Sequence, residues 1–209
     1  IFGYLAPMIA STFFPKENAL ASLLHVFGLF AVGYLLAPCG AMFFGFIGDR
    51  YGRKRALSLS ILAMAIPTAL IGIMPGFQTL GIAAPVLVTL LRITQGFVAS
   101  SEFTGSAVFL VEHAKPNQTA FYGCLTSAAY SIGVIIAGLM TTLLTAEFMP
   151  QTAWRGAFVF ALIAGIIIFY LRQKVSETPV YQQIHADDKP KLPFINALKT
   201  VPYAVIGVI

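Results

Sequence analysis

One charged stretch interrupts the long apolar sequence of this chain: Gly45-Phe46-Ile47-Gly48-Asp49-Arg50-Tyr51-Gly52-Arg53-Lys54-Arg55. Four cations fall within six residues of it, beside one carboxylate. An apolar run that begins near Ala19 precedes the stretch, and a second apolar run follows it at once. Because both runs are long enough to cross a bilayer, the stretch is predicted to be a turn at a membrane surface. Lys and Arg accumulate on the cytoplasmic side, so we expect the loop at 48–55 to be cytoplasmic.

The composition favours an integral membrane protein. Of 209 residues, 58% are hydrophobic and 10% are charged, and the mean hydropathy is +0.84. A water-soluble domain of this size needs more charge to cover its surface. The net charge of +5 does not indicate nucleic-acid binding, because the cations lie in short loops at alternate ends of apolar segments. The sequence contains no Ser/His/Asp, metal-ligand or phosphate-loop pattern, so an enzyme and a metal site are not predicted.

Apolar segments and their breaks predict six transmembrane helices, a polar linker and the start of a seventh helix. The predicted helices are Ile1 to Phe14, Ala19 to Gly48, Ala56 to Met74, about Leu80 to Val111, roughly Ala120 to Ala146, and Ala153 to Leu171. We expect a bundle at 1–172 with a truncated first helix, a linker at 173–192 and the seventh helix from 193 to 209. Both ends of the chain lie within apolar stretches, which indicates part of a longer polytopic protein.

The distribution of the 13 Lys and Arg residues supports this topology. Two of them, Lys16 and Arg155, fall on the predicted outer side, and Arg92 falls within the membrane. The other ten lie in predicted inner loops: Arg50, Arg53, Lys54, Arg55, Lys115, Arg172, Lys174, Lys189, Lys191 and Lys199. This bias predicts that the first helix runs outward and that the linker is cytoplasmic.

Glu102 lies near the middle of the fourth predicted helix, in a polar break with Ser100, Ser101 and Thr104. It is ten residues from Arg92, about 15 Å along the axis, so the two cannot pair within this helix. Desolvation favours the neutral form of a central carboxyl group, which suits reversible protonation. The alternative is a permanently protonated Glu102 that hydrogen-bonds a neighbouring helix.

Arg92 is the cation predicted to lie within the membrane. An Arg inside a transmembrane helix costs roughly 2.5–3.5 kcal/mol on insertion scales, so its side chain is expected to face a cavity or a partner. The alternative is that Arg92 extends to the outer surface, since long basic side chains can reach the interface.

Polar and aromatic residues within the predicted helices are candidates for lining a substrate cavity. These candidates are Tyr4, Tyr34, Ser101, Thr104, Ser127 and Tyr130. The alternative for the aromatic residues is packing, which is the more frequent role of an aromatic side chain in a helix.

The charged stretch resembles the cytoplasmic signature between helices two and three of the major facilitator superfamily, G-x-x-x-D-R-x-G-R-K, at every position. The resemblance implies a cytoplasmic gate, in which the Asp and Arg of the stretch form a charge network with the acidic residue that ends helix four, here Glu112. The implied gate residues are Gly45, Asp49, Arg50, Gly52, Arg53, Lys54 and Glu112. The alternative is a static surface ion pair, worth about 0–1 kcal/mol.

Arg92-Ile93-Thr94-Gln95-Gly96 resembles the second signature of the superfamily, R-x-x-Q-G in helix four. That signature is associated with proton coupling. The resemblance therefore implies proton coupling, in which we expect Glu102, from its central position, to carry the proton and Arg92 and Gln95 to support it. No cofactor is expected, because the proton is the coupling ion.

Within the superfamily, the sequence is similar to the metabolite:proton symporter family, especially its proline/betaine transporters, over nearly the whole chain. The similar segments are Phe2 to Pro7, Gly45 to Leu57, Gln95 to Phe97, Glu102 to Gly105, Trp154 to Gly156, Leu171-Arg172 and Glu177 to Tyr181. Three departures concern polar positions: Ala37 replaces the usual Arg before Pro38, Gln118-Thr119 replaces a loop Arg, and Ser127 stands where proline/betaine members often carry an acid. The resemblance therefore does not name a substrate.

The resemblance implies the N-terminal six-helix half of a twelve-helix transporter, with nested 3+3 inverted repeats and substrate bound near the midplane between the halves. The expected function is proton-coupled symport of an amino acid, betaine or carboxylate by alternating access. The expected location is the plasma membrane, the bacterial inner membrane, with the lipid bilayer and the C-terminal half as partners. Two alternatives remain open: an exporter of a drug- or siderophore-like compound on the same fold, and a transport-inactive membrane sensor.

Overall fold

The fold is known from a computed structural model that describes residues 2–15 and 19–183, without the side chains of 19–23 and 116. These ranges contain eight α-helices and one short 3-10 helix, Pro116–Gln118. The α-helices are α1 (Ala6–Phe13), α2 (Ala19–Tyr51), α3 (Arg53–Ile73), α4 (Phe77–Leu80), α5 (Ala83–His113), α6 (Thr119–Leu144), α7 (Arg155–Lys174) and α8 (Pro179–Gln183). Ile1, the linker from 184 to 192 and the predicted seventh helix at 193–209 lie outside the described residues.

Five of these helices, α2, α3, α5, α6 and α7, are long and apolar enough to cross a bilayer. They correspond to the second through sixth predicted helices, and α1 occupies part of the predicted first helix. The prediction of an all-helical, multi-pass membrane protein is therefore confirmed for the described part of the chain.

The predicted turn at 48–55 is wrong in its extent. Helix α2 continues to Tyr51 and α3 begins at Arg53, so Gly52 alone separates them. The charged residues stay helical because their backbone hydrogen bonds continue past the apolar run; the Gly52 N–H donates to the Gly48 carbonyl at 3.2 Å. Hydropathy indicates which residues lie within the membrane, but a helix can continue beyond them until the backbone changes direction. Gly52 turns it with φ +110°, a conformation that favours glycine.

Other boundaries also differ from the predictions. Residues near the predicted start of the fourth helix form the separate turn α4, which ends at Gly81 with φ +55°, and α5 starts at Ala83. Helix α7 continues to Lys174, and α8 forms within the segment predicted as a polar linker. The linker is thus partly helical over its described residues.

Helix α2 makes its most extensive contact with α5, and glycines allow the two backbones to approach. A Cβ atom on Gly40 would overlap the backbone carbonyl of Phe97, and one on Gly96 would overlap the backbone of Gly33. This contact fixes α5, which carries both Glu102 and Glu112, against α2.

The apolar core joins α1, α2, α3, α5 and α7 at the end of the bundle away from the charged stretch. Trp154 is buried and packs edge-on against Phe13 and Phe158. Next to it, Nη1 of Arg155 donates to the carbonyls of Gly72 and Met74, at 2.8 and 2.7 Å. A cation at these carbonyls stabilises the C-terminal end of α3, because a helix carries partial negative charge there.

Candidate functional site

The last turns of α2 and α5 and the first turn of α3 meet at a small network of ion pairs. Nη1 of Arg53 lies 2.7 Å from Oδ1 of Asp49, and its Nε lies 3.4 Å from Oε1 of Glu112. The three side chains are 26%, 28% and 16% exposed, respectively. The structure therefore brings together the three residues that the signature implies as a charge network. Their role as a gate stays a prediction.

The other implied gate residues surround this network without joining it. The guanidinium of Arg50 lies 5.7 Å from the ring centroids of both Phe46 and Tyr51. Gly45 and Arg53 line a small cavity of about 150 Å³ between α2, α3 and α5, which we call the gate cavity. The ion pairs thus lie at one end of an internal space between the three helices that they connect.

A carboxylate that sequence reasoning missed binds the start of α3. The backbone N–H of Lys54 donates to Oε1 and Oε2 of Glu177, at 3.1 and 3.2 Å, and the N–H of Thr178 donates to Oε1 at 3.1 Å. A Cβ atom on Gly52 would overlap this carboxylate. Position 52 therefore requires glycine for two reasons: its positive φ, and the space that the Glu177 carboxylate fills.

Two further hydrogen bonds attach the same segment to the signature. Nζ of Lys54 donates to the carbonyl of Gln173 at 2.6 Å, and the hydroxyl of Tyr181 donates to the carbonyl of Arg50 at 2.9 Å. We call residues 173–181 with these contacts the linker clasp. It connects the segment after α7 directly to the α2–α3 junction.

Glu177→Ala is expected to lower the stability of the protein by about 1 kcal/mol, because α3 loses the acceptor for its first-turn N–H groups. The melting temperature in detergent measures this change. Glu147→Ala is the matched control, since Glu147 is exposed and forms no ion pair within the described residues. Equal melting temperatures for the two variants would show that the clasp does not stabilise the protein.

Arg92 is held inside the bundle between two aromatic rings. Its guanidinium lies 4.7 Å from the ring centroid of Phe2 and 4.5 Å from that of Phe30. Nη1 donates to Oε1 of Gln95 at 3.2 Å, and Nε2 of Gln95 donates to the hydroxyl of Thr68 at 2.8 Å. The chain Arg92–Gln95–Thr68 connects α5 to α3, so Arg92 has the partner that its position predicts.

Glu102 faces two internal spaces on α5. One is a cavity of about 370 Å³ between α3, α5 and α7, the α7 cavity, and the other, of about 500 Å³, lies between α3, α5 and α6. Arg172 also lines the α7 cavity and interacts electrostatically with Glu102. Within the described ranges, Glu102 forms no hydrogen bond and no ion pair shorter than 4.0 Å.

The six predicted cavity residues do not line one common space. The buried Ser101 donates its hydroxyl to the Val98 carbonyl at 2.6 Å, and Thr104 donates to Ser100 at 2.9 Å. Both line the gate cavity, whereas Tyr130 lines the 500 Å³ cavity with Glu102. The remaining three, Tyr4, Tyr34 and Ser127, are exposed. Which of them meet a substrate stays a prediction.

Fold and site together define a multi-pass helical membrane protein whose helix ends are joined by ion pairs at one side. The family profile of the Major Facilitator Superfamily matches residues 1–209. The chain belongs to this superfamily. Its relatives are named as transporters and not as enzymes.

Three relatives show the range of this similarity. The chain is 35% identical to a proline/betaine transporter of Salmonella typhimurium over 191 residues, 90% of this chain and 38% of the relative. It is 35% identical to the shikimate transporter of Escherichia coli over 217 residues, 100% of this chain and 50% of the relative. It is 37% identical to a citrate-proton symporter of Salmonella typhi over 187 residues, 88% of this chain and 43% of the relative. The chain therefore spans half or less of the length of these relatives.

Proposed function

We propose that this chain is the N-terminal six-helix half of a secondary transporter that couples proton entry to uptake of a small organic solute by alternating access. The observation that carries the proposal is the Asp49–Arg53–Glu112 network, which joins the ends of three membrane-spanning helices. Breaking this network lets the three helix ends separate on one side of the membrane. Alternating access requires a closure on each side of the membrane that can break while the other side stays closed.

The strength of the ion pairs suits a gate. Partly exposed ion pairs contribute about 0–1 kcal/mol each, so thermal motion can open and close them within a transport cycle. A fully buried pair would cost several kcal/mol to break and would hold one state. The partial exposure of these three side chains, between 16% and 28%, supports the reversible case.

Glu102 is the proposed proton carrier, because it combines a position within a membrane-spanning helix with two adjoining cavities. A carboxyl group in that position is costly when charged and marks an ion or substrate pathway. Arg92 and Gln95 support α5 against α3 through Thr68. The proposed substrate is a small amino acid, betaine or carboxylate, since proline, betaine, citrate and shikimate in the names of the relatives all carry a carboxylate group.

The proposed whole protein has twelve helices, with 3+3 inverted repeats in each half and the solute between the halves. The greater length of the relatives supports a C-terminal half beyond this chain. The excess of Lys and Arg near 48–55 and in 173–192 supports a cytoplasmic position for both segments, in a bacterial inner membrane.

The test is uptake by the full-length protein in proteoliposomes under an inward proton gradient. One pH unit supplies about 1.4 kcal/mol, which supports up to about tenfold accumulation for one proton per solute. We expect accumulation of at least one of labelled proline, glycine betaine, citrate or shikimate, and a protonophore should abolish it.

Other outcomes contradict the proposal in different ways. Loss of preloaded solute or drug in exchange for entering protons would indicate an exporter. Binding without any movement across the membrane would indicate a transport-inactive sensor.

A further inference from the structure

Arg172 lies inside the bundle, although its sequence position places it among the cations of an inner loop. It belongs to the last turn of α7, where it is half-buried and lines the α7 cavity with Glu102. Its guanidinium lies 5.5 Å from the ring centroid of Phe109 on α5. Its Nη1 is buried and has no hydrogen-bond partner within the described residues. A buried donor without an acceptor is costly, so this group is expected to have a partner in another state of the protein.

The position over Phe109 places Arg172 between two carboxylates of the same helix. Glu102 lies seven residues before Phe109, about 10 Å along α5 on the same face, and Glu112 lies three residues after it, about 4.5 Å further. Oε2 of Glu112 is buried and also lacks a hydrogen-bond partner in the described ranges. Arg172, with its unpaired donor, thus contacts a ring that lies one helical turn before the unpaired acceptor of Glu112.

Few other charged groups compete for Arg172 among the described residues. The α3 and α7 residues that line the α7 cavity are otherwise uncharged, and α6 brings only Thr126 and Tyr130 as polar groups near Glu102. On α5, the His113 ring centroid lies 4.4 Å from that of Phe109, and the carbonyl oxygen of Phe109 accepts a hydrogen bond from Nδ1 of His113 at 2.9 Å. On the other elements nearby, Asp49 pairs with Arg53, Lys54 binds the Gln173 carbonyl, and Lys174 lies over the Tyr170 ring.

We propose that Arg172 connects the proton site to the gate by exchanging partners, pairing with Glu102 when that carboxyl group is ionised and with Glu112 when it is protonated. This inference rests on the proposed function, because it gives Arg172 a role between the proposed proton carrier and the proposed gate. Arg172 is a positioning residue in this scheme, since it acts on the gate through Glu112.

The proposed change of partner by Arg172 links protonation of Glu102 to opening of the inner side, as symport requires. Glu112 is held by Arg53 at 3.4 Å, a long ion-pair distance, and its second oxygen is free. When a proton neutralises Glu102, Arg172 loses its counter-charge there and competes with Arg53 for Glu112. The Arg53–Glu112 contact then weakens, so proton loading favours opening of the inner side.

The test measures opening of the gate cavity by cysteine labelling in the full-length protein. Ala41 lines that cavity, so Ala41→Cys, with Cys39 and Cys124 replaced by serine, reports entry of a membrane-impermeant thiol reagent from the inner side. Glu102→Gln imitates the protonated carboxyl group. We expect it to raise the labelling rate at least about fivefold when Arg172 is present, and less than about twofold in the Arg172→Gln background.

The Arg172→Lys variant is the matched control, because it keeps the charge and is expected to keep part of the response to Glu102→Gln. Equal increases with and without Arg172, or no increase in either background, would overturn the proposal. Elution as a single species and an unchanged melting temperature verify that each variant is folded. Proton-driven uptake is measured in the same vesicles. Uptake together with equal labelling increases in the two backgrounds rejects only the role of Arg172. A labelling increase that depends on Arg172, without uptake of any solute, rejects the proposed symport.

Discussion

Glu102→Gln is expected to abolish accumulation of solute against its gradient while exchange of solute across the membrane continues. Glutamine keeps the size and hydrogen-bonding capacity of the protonated carboxyl group but cannot lose a proton. The variant then carries bound solute across the membrane in both directions, but the proton gradient cannot drive net movement of the solute. Accumulation should fall from a wild-type ratio of up to about tenfold per pH unit to a ratio of about one.

Two assays on the same proteoliposomes separate these effects: net uptake under a proton gradient, and exchange of labelled for unlabelled solute without a gradient. Glu147→Gln is the control, since Glu147 is exposed and lies outside the membrane-spanning helices. Undiminished accumulation in Glu102→Gln would remove Glu102 from proton coupling. Loss of both uptake and exchange would instead assign Glu102 to solute binding or to folding.

Among the glycines that the structure describes, Gly40 is expected to cause the largest loss of stability on substitution by alanine. The new Cβ would overlap the backbone carbonyl of Phe97, and a backbone atom cannot rotate away as a flexible side chain can. Helices α2 and α5 must therefore separate, at a cost of about 1–3 kcal/mol or more. The separation also moves Glu102 and Glu112 relative to α2.

Gly28→Ala is the matched control for this prediction, because Gly28 lies on the same helix and a Cβ there meets no atom within 4 Å. Alanine is a better helix former than glycine, so the control is expected to be neutral or stabilising. The melting temperature in detergent and the yield of single-species protein measure both variants. A similar result for the two would contradict the close approach of α2 and α5.

The sequence predicts the class of protein and the meeting of Asp49, Arg53 and Glu112 for clear physical reasons. Apolar runs of bilayer length are a strong signal, and five of them form helices that can span a membrane. Helix ends on one side of a membrane share one depth, so the ends that carry Asp49, Arg53 and Glu112 were expected to meet. The match to the superfamily signature selected these three residues among the charges at that depth.

The parts that the sequence did not predict depend on chain folding over long separations. Glu177 binds the N–H of Lys54 across 123 residues, and no local pattern indicates that the segment after α7 turns back to the signature. Arg172 was counted as a loop cation because hydropathy records its charge but not the direction of its side chain. Likewise, the rotation of each helix about its axis decides whether Tyr4, Tyr34 and Ser127 face a cavity.

The attachment of residues 173–181 to the α2–α3 junction also determines where the polypeptide can be divided. For dividing the proposed whole protein into two fragments, hydropathy alone suggests a cut near 172. That cut would remove Glu177 from the start of α3 and strip the fully buried Thr178 from its site. A fragment that ends after Gln183 keeps every hydrogen bond of the linker clasp. In the proposed two-half protein, the N-terminal half would then include the first part of the linker, and we expect complementation between separately expressed halves to depend on which fragment carries it.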